Sequence, residues 1–152
     1  MKRYAIKCLA LVCLISAMEL PVGATAESKV YQSTEFVYME GYGQVQVDTT
    51  LVVQTSLLRA SSKSAKKIQT YTYDGSEIAT VTLSATFSYG DGKVSVTSAS
   101  GSASTSGGWS YKSQSVVKSG GTASLTAKLT KLSYRDIPVS ISMSCTTAGV
   151  IR

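Results

Sequence analysis

The sequence predicts an all-β protein, a sandwich of two antiparallel layers, on three observations. Residues 78–89 alternate without a break: Ala79, Val81, Leu83, Ala85, Phe87 and Tyr89 fall on one side, and Ile78, Thr80, Thr82, Ser84, Thr86 and Ser88 on the other. Successive strand residues point to opposite faces, so this period of two sets an apolar stripe against a core and a largely hydroxyl stripe toward water. Short segments of the same kind recur between glycine-bearing turns, and nothing after residue 26 shows a helical period. About seven to nine such strands make a sandwich, with a small up-and-down barrel as the alternative.

Taken in order, the chain opens with Lys2, Arg3 and Lys7, then an apolar run over 8–18, then Pro21 and the small-residue end Ala24-Thr25-Ala26. That order predicts a secretory signal peptide cut after Ala26, since the apolar run is too short to span a bilayer. Residues 27–152 then form a single domain, large enough to bury a core. The expected location is extracellular, with attachment to the cell wall as a variant. The remaining chain carries twelve Lys/Arg against eight Asp/Glu, a mild positive balance that permits attraction to an acidic surface. Cys8 and Cys13 leave with the signal, so Cys145 is the one thiol left and no intramolecular disulfide can form. It continues the alternating set Val139, Ile141, Met143, which reads as a small buried hydrophobe; pairing between molecules is the alternative. The chain has no histidine, so the commonest general base and metal ligand are missing. No metal or cofactor is expected.

Residues 36–39 read as a short strand before a turn at Gly41-Tyr42-Gly43. The next strand starts at Gln44, with Val45, Val47, Thr49, Leu51, Val53, Thr55 and Leu57 on one face and Val52 and Leu58 suggesting partial cover of the other. Residues 59–67 hold Arg59, Lys63, Lys66 and Lys67 with no acid, which is either a patch for a phosphate-rich or carboxylate-rich polymer or a solvated loop or lysine-guarded sheet edge. A strand over 67–73, a turn at Asp74-Gly75, the central strand, a hairpin turn at Gly90-Asp91-Gly92 and a return over 93–98 follow. Residues 98–108, nearly all Ser, Ala, Gly and Thr, read as a weak strand end and a loop. Trp109 and Tyr111 lead into 114–118, Ser119-Gly120-Gly121 turns the chain, and 122–130 alternate clearly with Ala123, Leu125, Ala127 and Leu129 inward. Pro138 suits the first position of the last strand, because proline cannot donate to a ladder.

The stretch Ala79-Thr80-Val81-Thr82-Leu83-Ser84-Ala85-Thr86-Phe87, Trp109 through Lys118-Ser119-Gly120, Ile137-Pro138-Val139 and Ser144-Cys145 resemble a group of small secreted proteins of Gram-positive bacteria. The resemblance spans 78–145 and implies export and an immunoglobulin-like sandwich. It carries no activity and transfers no functional residue. Members of that group often have further cysteines, so Cys145, standing alone, inherits no disulfide.

For chemistry, Ser115-Val116-Val117-Lys118 has the S-x-x-K spacing of penicillin-recognising serine enzymes, and Lys118-Ser119-Gly120 resembles their K-[ST]-G element. One lysine would have to serve both motifs, from a strand rather than a helix, so catalysis is not expected here. The carboxylates are scattered and show no D-x-D cluster. The remaining candidates are for binding: Trp109 with Tyr111 as a platform for sugar rings, extended by Tyr71 and Tyr73, and the basic set Arg59, Lys63, Lys66 and Lys67. A lone Trp in a sandwich more commonly fills the core. The expected function is therefore a secreted, non-enzymatic binding or envelope-associated structural module. Its partner would be an anionic envelope polymer, a carbohydrate or another protein; nucleic acid and stable membrane insertion are not expected. The alternatives are a membrane-active, toxin-like β protein and, last, an extracellular hydrolase.

Overall fold

The computed structural model describes residues 27–55 and 61–152. The expected signal peptide, Arg59, and Leu57 and Leu58 of the second strand lie outside the described residues. The elements are β1 (Glu27–Met39), β2 (Gly43–Thr55), β3 (Ser62–Tyr73), β4 (Ser76–Gly90), β5 (Lys93–Thr105), β6 (Ser110–Ser119), β7 (Thr122–Thr130) and β8 (Ile137–Ser144). The first five form one antiparallel sheet in chain order, and the last three form another. The protein is thus an all-β sandwich, and neither sheet closes into a barrel. The chain changes sheets once, between β5 and β6, so each sheet is a meander, simpler than the Greek-key wiring of immunoglobulin domains. Among the described residues no helix is long and apolar enough to cross a membrane.

The period of two explains which side chains meet between the layers. Val45, Val47, Leu51 and Val53 of β2 and Val81, Leu83 and Phe87 of β4 are buried, facing Leu125 and Leu129 of β7 and Ile137, Ile141 and Met143 of β8. Each fully buried side chain of this size stabilises the fold by about 1.5–3 kcal/mol relative to its exposed state. No polar or charged residue is buried among those described. Ile78 departs from the expected alternation: the register slips between Tyr71 and Thr72, which leaves Ile78 without a facing residue, and its side chain is buried beside that of Ala79.

The turns follow their residues. Asp74 and Gly75 have φ of 49° and 71°, and Asp91 and Gly92 have 50° and 71°, the paired left-handed values of a type I′ hairpin turn whose twist matches that of its strands. Three segments run longer than the sequence predicts. β1 begins at Glu27, β3 begins at Ser62 within the basic segment, and β5 continues through the Ser/Ala/Gly stretch to Thr105. Residues 62–67 are therefore neither a loop nor a sheet edge, since β3 lies between β2 and β4.

Candidate functional site

A strand separates neighbouring lysines by face, and β3 does so here. Lys63 and Lys67 share the parity of buried Ala65 and lean toward the small sheet: Lys63 Nζ donates to the Gly149 carbonyl at 2.7 Å and Lys67 Nζ to the Ser142 carbonyl at 3.0 Å. Lys63 Nζ also lies 5.3 Å from the centre of the Tyr89 ring. Both ammonium groups thus tie the two layers together. Lys66 has the opposite parity and stands on the outer face of the large sheet.

Trp109 is buried, 6% exposed, and belongs to a group of rings gathered from three connections and the last residue of β3 at one end of the sandwich. Tyr42 from the β1–β2 turn lies edge-on to Tyr73 at 5.2 Å, tilted against Trp109 at 5.8 Å and stacked on Tyr134 of the β7–β8 loop at 6.0 Å. Tyr42 Oη donates to the Arg135 carbonyl, and Arg135 pairs with Glu40 at 2.8 Å. Lys131 Nζ caps the group, 5.9 Å from the Trp109 ring centre and 5.1 Å from that of Tyr134. Burial, with smaller contributions from Asp136, Tyr134 and Tyr73, pushes the Tyr42 phenol above its ordinary pKa. Such aromatic contacts contribute roughly 0.5–1.5 kcal/mol each beyond burial, so the group closes one end of the core. Tyr111 and Tyr71 point into the sandwich and are likewise raised, chiefly by desolvation. The sugar platform expected of Trp109, Tyr111, Tyr71 and Tyr73 is thus not brought to the surface together, and Lys63, Lys66 and Lys67 do not share one face.

One open surface is the outer side of the large sheet. Its register aligns rows of residues across four strands, two of which are Val52–Lys66–Ser84–Ser100 and Gln54–Ser64–Thr86–Ser98. These two rows line a trough of about 300 Å³ beside the bulge at Thr97, and among the described residues Lys66 is the one charged residue in its lining. The hydroxyls of Ser64 and Thr86 lie 3.0 Å apart and those of Thr70 and Thr80 3.3 Å apart, a ladder of groups that can each donate and accept. On the same outer side, at the far end of β1, Phe36 is 57% exposed and Tyr38 79% exposed. The sequence reading missed these two rings. The signal was present in the alternation of Phe36 and Tyr38 with Val37 and Met39, which assigns the rings to one face once a long β1 is granted.

Ser115 and Lys118 lie three residues apart on β6 and so point to opposite faces. No cluster of metal-ligating side chains occurs among the described residues. No protein-family profile matches the chain, and no curated protein or solved structure matches it.

Proposed function

We propose that residues 1–26 direct export and that residues 27–152 act outside the cell as a non-enzymatic binding module for a hydroxyl-rich, anionic envelope polymer. The resemblance to small secreted proteins of Gram-positive bacteria belongs to the same reading, for export and a sandwich and not for immunoglobulin wiring. The observation that carries it is the trough on the outer sheet face, lined by Ser/Thr hydroxyls and Gln54 around the ammonium of Lys66. Hydroxyls that donate and accept suit a polyol, and one cation among them suits a carboxylate or phosphate on the same chain. Phe36 and Tyr38 offer exposed rings on that face for sugar stacking.

The test is co-sedimentation with isolated cell walls bearing anionic polymer. Retention is expected at low salt and weaker at high salt, because exposed ion pairs are screened. Lys66→Glu and the Phe36→Ala/Tyr38→Ala double variant should each cut retention roughly fivefold or more, a loss of about 1 kcal/mol. Lys63→Gln should leave retention unchanged, since that ammonium faces the other layer. No retention at low salt, or retention indifferent to both outer-face variants, overturns the reading.

One feature favours a membrane-active alternative. Leu132, 91% exposed, sits at the β7–β8 loop tip with Tyr134 between Lys131 and Arg135, a combination suited to a lipid headgroup boundary. Dye release from anionic liposomes that is lost in Leu132→Ser would support that alternative instead.

A further inference from the structure

The rim of the large sheet formed by β1 differs from the other strand rims among the described residues. β5 breaks register between Thr86 and Phe87, leaving Thr97 unpaired. β6 is interrupted between Lys112 and Ser115, with Ser113 at φ 56°. β8 contains Pro138, and its rim is covered by Arg152, whose backbone exchanges hydrogen bonds with Ser144, and by Lys67 on the Ser142 carbonyl. Bulges, prolines, covering segments and charged side chains are devices that keep a foreign strand from docking. β1 has no bulge or proline and, among the described residues, no covering segment: its 13 residues pair with β2 in unbroken register, and only the charges of Glu27, Lys29 and Glu35 guard it. Val30 and Tyr31 are half exposed there, one on each face.

The charge pattern of β1 names the occupant. We infer that β1 pairs antiparallel with β1 of a second copy of this chain, about a two-fold axis through Gln32, joining two large sheets into one. In that register Lys29 faces Glu35 of the second copy and Glu35 faces Lys29 of the second copy, so one contact occurs twice, as a two-fold interface requires. Glu27 faces Val37, Ser28 faces Phe36, and Val30 faces Thr34, with no like charges opposed. Moving the axis to Tyr31 sets Glu27 against Glu35, and moving it to Ser33 sets Lys29 against Val37; both lose the matched pairs. Among the described residues Lys29 pairs with the exposed Glu27, at 3.2 Å, a surface pair weak enough to exchange for another. Facing residues of paired strands point the same way, so the two hydroxyl faces lie on one side of the joined sheet.

Sedimentation equilibrium of the purified full chain, from about 1 μM to about 0.5 mM, reads the dimer directly. Lys29→Glu and Glu35→Lys should each raise the dimer Kd about tenfold or more, since each creates two like-charge contacts. The Lys29→Glu/Glu35→Lys double variant should return it to within about threefold of the parent. In a background with Cys8, Cys13 and Cys145 changed to Ser, Gln32→Cys should form an oxidised dimer, because residues facing across strands stand about 4.5–5.5 Å apart at Cα. Thr34→Cys in the same background should not. Circular dichroism confirms that each variant retains its strands. A chain that stays monomeric throughout, including one that pairs only with a strand of another protein, overturns the inference. So does a dimer indifferent to the single reversals or not restored by the double.

Discussion

Gly101 shows how one missing side chain sets the spacing of the two layers. A Cβ at this position would overlap Leu125 Cδ1 and lie 3.2 Å from the Gln114 side-chain amide. Leu125 is fully buried and has no room to yield. The glycine therefore lets β7 settle against β5 a few residues before the chain crosses between sheets. Gly101→Ala should destabilise the fold by about 1–3 kcal/mol, the usual cost of overpacking a filled core, seen as a lower urea midpoint with unchanged slope. Ala99 and Ala103, with the same parity, already carry the Cβ that Gly101 lacks. In the sequence Gly101 is one small residue in a run of small residues, and only the opposing layer reveals what it is for.

At the scale of elements, the strands legible in advance are those with one face on the core and one in water. β4 and β7 show this plainly, because Val81, Leu83 and Phe87, or Leu125 and Leu129, alternate with Ser/Thr and, in β7, Lys128. β1 was legible only at its end. As an outer strand not covered by the small sheet it is exposed on both faces, so no alternation is imposed on residues 27–35. The start of β3 was hidden for another reason: Lys63 and Lys67 occupy inward parity, yet their ammonium groups reach carbonyls at the margin of the small sheet, so charge stands where an apolar residue would mark a strand. The candidate site was less legible than the fold. Its trough is built by register across four strands, and the ring group by three connections and the end of β3, far apart in the chain, and neither leaves a local mark.

At the scale of the whole molecule, the titrating groups define when the fold should fail. Desolvation raises the pKa of Tyr71, helped by Glu35 and Tyr111, and also those of Tyr42 and Tyr111. It raises that of the Cys145 thiol too, with Lys63 opposing. All four groups hold their proton to higher pH in the folded chain than in the unfolded one. Their stabilisation is complete below the unfolded values, about 8.5 for a thiol and about 10 for a phenol, and is lost as pH rises toward the folded ones. No histidine titrates near neutrality. Urea midpoints should therefore be level from about pH 6 to 8 and fall steadily above about pH 9. A midpoint that holds or rises to about pH 11 contradicts this account.

The single passage of the chain from one layer to the other makes the molecule divisible. Gly107 and Gly108, at φ 60° and 79°, carry it between two meanders that share no strand. A nick between these glycines would leave each half with its own ladder complete and its apolar side bare. Two separately produced pieces, 27–107 and 108–152, should therefore reassociate on mixing. The indole of Trp109 would report their union by a blue shift as it is shut away from solvent.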